Sequence, residues 1–304
     1  MIDIDAEKLK SFEEQLNPVD LTDSGIKAEL LGYGEISAIF RIEGIPYALK
    51  RLPIFSSGKQ AEDYLALHDE YCSRLEAAGI LLPEWKGYVV DVPERPVSLY
   101  IAQEIMNPGN FVHRMLGRDK AADLETIEGV IKEIEKVWRY NAQSGGSEGI
   151  ALAIDGQLSN WVLNSGKYFY IDTSTPLLRK NGVEQMNPDL ILQSAPSFLR
   201  WLLKLFFLDD VLNRYYVPAL VYTDIIGNLF KEQHPELIPE AVEIANAYLE
   251  GEKEKLTVKK IENYYREDKL IWALFLAFRK IDRFIKTKIL RRRYEFILPG
   301  KIQR

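Results

Sequence analysis

The chain has 304 residues, with 45 acidic against 39 basic side chains and a formal net charge of −6; 47% of residues are hydrophobic and 28% charged. This balance excludes a disordered polypeptide and argues against a dedicated nucleic-acid binder, which is basic overall. The lone cysteine, Cys72, excludes an internal disulfide and a multi-cysteine zinc site, and His68, His113 and His234 show no metal-ligand spacing.

The N-terminal MIDIDAEKLK is acidic and lacks the apolar run of a secretory signal, and residues 5–16 read as a short polar helix. From about residue 26 to 52 three short segments, AELLGYG, EISAIFRIEG and IPYALKRL, are β-branched, aromatic and broken by glycine, with Glu43-Gly44 marking a hairpin. A helix follows in SSGKQAEDYLALHDEYCSRLEAAG, where Tyr64, Leu65, Leu67, Tyr71, Cys72 and Leu75 recur at helical spacing and Gly79 is the stop. Two further strands, KGYVVDV and VSLYIAQEIM, end at Pro108-Gly109. Beyond residue 110 the pattern is helical over 121–143, 189–216, 218–232, 236–250 and 257–292, apart from a strand-turn-strand stretch at 160–171 with Asn164-Ser165-Gly166 at its turn. The expectation is an α+β fold: a β-rich lobe, residues 1–106, holding five antiparallel strands and a helix, and a mainly helical lobe, residues 107–304, with a ligand crevice between them. The most apolar stretch, Phe198–Leu208, is interrupted by Arg200 and Lys204 and is too short and charged to span a bilayer; a reducing, cytoplasmic setting is the default.

Four features carry chemistry. In Leu31-Gly32-Tyr33-Gly34-Glu35-Ile36-Ser37, glycines between two strands let backbone N–H groups approach phosphate oxygens, although an ordinary hairpin turn reads the same way. In Tyr47-Ala48-Leu49-Lys50 a lysine ends an apolar run and needs a counter-charge if it points inward. Among the acids of the following helix, Glu70 lies on the Leu67–Tyr71 side, whereas Glu62, Asp63 and Asp69 suit a solvated face. Asp155-Gly156-Gln157-Leu158-Ser159-Asn160 precedes a strand, and Tyr168-Phe169-Tyr170-Ile171-Asp172 ends one with an acid, followed by Thr173-Ser174-Thr175. Each is weak alone: Lys50 reads as well as a snorkelling edge lysine, Asp155-x4-Asn160 as a chance match, and Asp172 as a turn-initiating or capping aspartate.

In this order the segments resemble the protein-kinase-like superfamily over about residues 30–190, and are most similar to its small-molecule branch of aminoglycoside phosphotransferases and choline kinases. LGYGEISAI resembles the glycine-rich loop, YALK the lysine strand, EYCSRLEAAGILLP the helix whose acid pairs with that lysine, LYIAQEIM the hinge, DGQLSN the catalytic loop, and YIDTST the metal-binding strand end; NPDL at 187–190 echoes a downstream motif. The resemblance implies a bilobal fold and a phosphotransferase that uses ATP and Mg²⁺ on the hydroxyl of a small molecule, without nucleic acid. It implies that backbone at Gly32, Gly34 and Ser37 covers the phosphates and that Lys50, held by Glu70, binds them. It further implies that backbone near Glu104 and Met106 meets adenine, that Asn160 and Asp172 hold the metal, and that Asp155 accepts the hydroxyl proton.

The departures are Ser37 for a glycine, Ala153 where the family often has histidine, and no Ala-Pro-Glu-like motif closing an activation segment. They leave two alternatives: a catalytically inactive, nucleotide-binding or scaffolding relative, and an atypical protein kinase with phosphosites among Thr173, Ser174 and Thr175. A dinucleotide fold is disfavoured because these glycines lead into a strand. His113 follows the hinge and reads as a surface residue, with a place on the crevice wall as the alternative; Cys72 reads as core, and Trp161 as packing under the catalytic loop. From Arg279 onward, ten basic residues stand against two acidic ones. Trp272, Phe275, Leu276, Ile281, Phe284, Ile285 and Ile289 read as a stripe packed on the helical lobe with Arg291–Arg293 as its solvated end; the alternative is a weak contact with an anionic membrane.

Overall fold

A computed structural model describes the chain apart from residues 1, 24, 26, 35, 145–148, 197–198, 201–203, 205–207, 250–254 and 299–304. The fold is α+β. Helix α1 (Ala6–Gln15) starts where the Asp5 carboxylate accepts the Glu7 N–H. Strands β1 (Ala28–Tyr33), β2 (Ala38–Ile42), β3 (Tyr47–Phe55), β4 (Trp85–Val90) and β5 (Val97–Glu104) form one antiparallel sheet in the order β1-β2-β3-β5-β4. Helix α2 (Gly58–Ala77), capped by Ser57 on the Gln60 N–H, follows β3. Gly44 takes the left-handed conformation in the expected hairpin, which a β-carbon would resist.

The sheet buries both faces. Its outer face packs Phe40, Ile42, Leu49 and Tyr100 against Leu9, Phe12 and Leu16, with the Phe12 and Phe40 rings edge-on at 5.3 Å. Its inner face joins a larger core in which Leu52, Leu99 and Ile101 meet Tyr71 and Leu75 of α2 and continue into the helical half. Alternation along β3 therefore sends the neighbours Lys50 and Arg51 to opposite sides.

The second half contains α3 (Val112–Met115), α4 (Lys120–Ser144), the hairpin β7 (Trp161–Asn164)–β8 (Lys167–Tyr170), and a small sheet of β6 (Ile150–Leu152), β9 (Leu178–Lys180) and β10 (Val183–Glu184) in the order β10-β9-β6. Helices α5 (Leu208–Arg214), α6 (Pro218–Asn228), α7 (Ile238–Tyr248) and α8 (Val258–Phe284) follow. The helix expected over 189–216 opens as a 3₁₀ run, Pro188–Ser194; beyond it Leu199, Arg200, Lys204 and α5 are helical. Pro196 removes a donor and biases Ala195 toward its extended conformation, φ −80° and ψ 149°. Parts of that expected helix, including Phe198, lie outside the described residues. Among the described residues no helix is long and apolar enough to cross a membrane.

Helix α8 differs most from expectation. It ends at Phe284, passes through a π-turn at Ile285–Ile289, and the chain then leaves regular secondary structure with Arg291 at φ 52°, so Arg291–Arg293 do not prolong a helix. Arg279 is fully buried, its guanidinium 5.6 Å from the Phe275 and Phe296 ring centres, and it borders a small cavity with Gly34 and Ser37. Arg291, Arg292 and Arg293 are exposed, as expected, and Arg293 also donates to the Leu16 carbonyl and to Glu295 Oε1. The helix thus runs from its packing on α6 to the sheet, and the segment after it docks there. The stripe expected to pack on the helical lobe is divided. Trp272 and Phe275 face a cleft, whereas Ile281, Phe284 and Ile289 are exposed. Lys301 and Arg304 lie outside the described residues.

Candidate functional site

A cleft of about 1320 Å³ opens between the inner face of the sheet, the 155–177 loops and α8. Gly32, Gly34, Ser37, Lys50, Glu104, Met106, Asp155, Asn160 and Asp172 all line it. Of the residues the resemblance assigns to the site, Glu70 is the one not on its wall.

The β1–β2 turn is closed by the Gly34 N–H on the Ser37 carbonyl, 2.9 Å, and Ser37 is buried beneath it. Glu35 lies outside the described residues. At the end of β5 the Glu104 N–H already bonds the Glu84 carbonyl at 3.3 Å, so the backbone of Ile105 and Met106, beyond the sheet, is the stretch left to face the cleft.

Residues 155–172 assemble around the β7–β8 hairpin. The Ile171 N–H donates to the Asn160 carbonyl at 2.9 Å, which brings Asn160 and Asp172 side by side across the base of the hairpin. Asn160 Nδ2 donates to the Asp155 carbonyl at 3.2 Å, which turns its Oδ1 the other way. The Asp155 carboxylate accepts the Gln157 N–H at 3.2 Å and fixes the loop. Gly156 is required by space: a β-carbon there would come within 2.9 Å of Ile134, Val221 and Ile225 side chains. Trp161 is buried beneath the loop with its ring 5.2 Å from that of Tyr170, as expected.

Lys50 Nζ lies 2.5 Å from Asp172 Oδ1, and Ser174 Oγ donates to the same oxygen at 3.0 Å. Burial pushes the Asp172 carboxyl up, but Lys50 and then Ser174 outweigh it, and the group is held below the ordinary carboxylate range. The pair is partly open to solvent, with the side chains 12% and 34% exposed.

The expected Lys50–Glu70 pair is not formed. Glu70 bonds Arg74 at 3.0 Å and Lys180 of β9 at 2.7 Å, tying α2 to the small sheet. The reason is helical phase. Tyr64, His68 and Tyr71 share the face of α2 turned toward the 153–174 loops, and Glu70 lies on a neighbouring one. The Tyr64 hydroxyl donates to the Ser174 carbonyl and the Tyr71 hydroxyl to the Ala153 carbonyl, both at 2.7 Å. His68 Nε2 is 3.0 Å from Thr173 Oγ1. This triad was not found by sequence reasoning, although its spacing was visible. Lysine therefore takes its counter-charge directly from the strand-end acid, while α2 positions that acid through its backbone neighbours.

Thr173 and Ser174 are buried in these contacts, which fits turn chemistry and opposes their use as phosphosites. Ala153 is fully buried with both backbone groups bonded. Cys72 is core; burial raises its thiol to about 12. His113, expected at the surface, lines the cleft half-buried, and burial followed by nearby Arg114 lowers its pKa.

Magnesium takes hard oxygen ligands and keeps several waters, so one or two protein side chains and phosphate oxygens suffice. The adjacent carboxylate of Asp172 and amide oxygen of Asn160 fit that requirement. Among the described residues there is no cluster of three or more His, Cys, Asp or Glu side chains suited to a metal held by protein alone.

Compared with known sequences, the chain matches a family of unknown function (DUF6206) across residues 13–283, and it belongs to that family. No curated protein matches it.

Proposed function

We propose that this member of the DUF6206 family is an ATP-dependent phosphotransferase with a kinase-like fold, acting on a hydroxyl group in a reducing, cytoplasmic setting. The observation that carries the reading is the convergence, on one cleft, of a lysine from β3 with a carboxylate 122 residues later, Lys50 on Asp172 at 2.5 Å. The glycine turn, the β5 exit, Asp155 and Asn160 line the same space.

Residue types and positions supply each need of phosphoryl transfer, which is positioning and charge neutralisation. The 32–37 turn offers backbone N–H groups to phosphate. Lys50 meets phosphate oxygens when Asp172 turns to a metal. Asp172 and Asn160 would hold Mg²⁺, which when bound neutralises phosphate charge. Asp155 orients the attacking hydroxyl and accepts its proton. The backbone at Ile105 and Met106 meets the base. A second reading, nucleotide binding without turnover, is favoured by Glu70's engagement elsewhere, which leaves Lys50 without the anchor the resemblance implies.

Purified protein with Mg-ATP and a panel of alcohols separates the two by ADP and phosphoester release. On the leading reading, Asp155→Asn lowers kcat at least about a hundredfold, roughly 3 kcal/mol of barrier, and leaves nucleotide affinity in place. ATP binding with no product under any acceptor would support the second reading.

A further inference from the structure

The cleft is larger than the roughly 300–1,000 Å³ usual for a small-molecule site, and its two ends differ in chemistry. The end beside Lys50 is polar. Toward α5 and α6 the wall includes Leu192, Leu212, Leu220, Ile271 and Trp272, and Phe275 and Phe278 carry it along α8 to the glycine turn. Among the described residues most polar side chains at that end are engaged with one another, Glu267 being the exception. The Tyr264 hydroxyl and Asn228 Nδ2 both donate to Asp224, Lys231 pairs with Asp268 at 3.0 Å, and the Arg214 guanidinium lies over the Tyr264 ring at 4.8 Å. A polyhydroxylated or polycationic acceptor would find few partners there.

The mouth of this end is apolar on both sides. Val211 and Leu220 are 41% and 40% exposed, and Ile271 and Leu274 of α8 opposite them are 56% and 49% exposed. Large apolar side chains facing each other across a cavity entrance, with solvent on them, are costly unless an apolar body covers them. The outer face of the same helix continues the pattern with Leu270, Ile281 and Phe284 exposed beside Lys280 and Arg283, the composition of a helix that rests on an amphiphile surface.

We propose that the phosphate acceptor is an amphiphilic alcohol whose long apolar body lies between α6 and α8 and whose hydroxyl reaches Asp155. The proposal rests on the phosphotransferase reading for its chemistry and on the apolar wall for its substrate class. In the step, the acceptor oxygen forms a bond to the γ-phosphorus and the bond from that phosphorus to the β–γ bridging oxygen breaks. The hydroxyl proton goes to the Asp155 carboxylate, and ADP leaves with the electron pair of the broken bond.

Two measurements test it. The first is equilibrium binding of a fluorescent long-chain primary alcohol to wild type, Leu220→Glu and Ile271→Glu, substitutions at exposed positions compatible with folding. Binding to wild type that weakens at least about tenfold in both variants, with nucleotide affinity retained, is expected. No binding to wild type, or equal binding in all three, overturns the proposal. The second is phosphate transfer from radiolabelled ATP to the unlabelled long-chain alcohol in mixed micelles, against a short-chain alcohol with the same head. Transfer favouring the long chain at least about tenfold is expected, and preference for the short chain overturns the substrate class while leaving the phosphotransferase reading in place. Rim-dependent binding without transfer to any acceptor sinks that reading instead and leaves the apolar site standing.

Discussion

Residues 50 and 51 are neighbours on one strand, both cationic, and they live in opposite worlds. Arg51 is 1% exposed and takes both Glu13 oxygens, at 2.6 and 2.7 Å, together with the carboxylate and carbonyl of Glu295 at 2.9 Å. The Tyr100 hydroxyl also donates to Glu13, and the Glu295 carboxylate receives Arg293. Among the described residues Lys50 has one carboxylate partner, set in a wall of the cleft. Saturated, water-excluded charge locks an arrangement in place, whereas a single half-open pair can be exchanged for a ligand's charge. The first pattern is architectural and the second is suited to chemistry.

The sharpest way to break that contrast is Arg51→Leu. It strands the buried Glu13 carboxylate, leaves Glu295 with Arg293 alone, and should cost about 3–5 kcal/mol in urea unfolding. A loss below about 1 kcal/mol would mean the cluster locks nothing. Lys50→Ala should do the reverse. Nucleotide affinity and turnover should fall at least about tenfold, with roughly 1 kcal/mol or less lost in stability, since water reaches the pair. A large stability loss with unchanged ATP affinity would make Lys50 a structural residue like its neighbour.

Acid separates the two more gently. Burial raises Glu13 and Asp172, but Arg51 and Lys50 respectively outweigh it, and both fold with lowered pKa values. The stabilisation they give is present above about pH 4, the ordinary value, and is lost as pH falls through the lower folded values. The thermal midpoint should therefore drop on acidification, and Glu13→Gln should flatten that drop more than Asp172→Asn does. The smallest effect belongs to Glu70→Gln. Its bonds to Arg74 and Lys180 are partly exposed, so the change should stay within about 1 kcal/mol and leave kcat/KM nearly unaltered. A loss matching that of Lys50→Ala would restore Glu70 to the role its resemblance implies.

The five-stranded sheet was legible because its strands are long enough to alternate and its β2–β3 turn carries Gly44, and the β7–β8 hairpin because its turn carries Gly166. The three-residue strands β6 and β9 were not, since they show no period, and their pairing is set by contacts distant in sequence. Lys50, Asp155, Asn160 and Asp172 could be named as candidates from motif order, which says nothing of which face of α2 meets them. Tyr64, His68 and Tyr71 do that work, and in one dimension they are indistinguishable from core residues. The direction of α8 was hidden for a related reason. Apolar residues on two of its faces look like one stripe until the cleft separates them.

The docking of Glu295 on Arg51 has a consequence for biosynthesis. A ribosome releases the β-strands long before it makes residue 295, so a nascent sheet carries a guanidinium with two of its four hydrogen bonds still unmade and an outer cluster still lacking Ile297. A late segment then has to arrive on an early one, and chaperones or proteases that survey emerging polypeptides would meet the sheet before it is sealed.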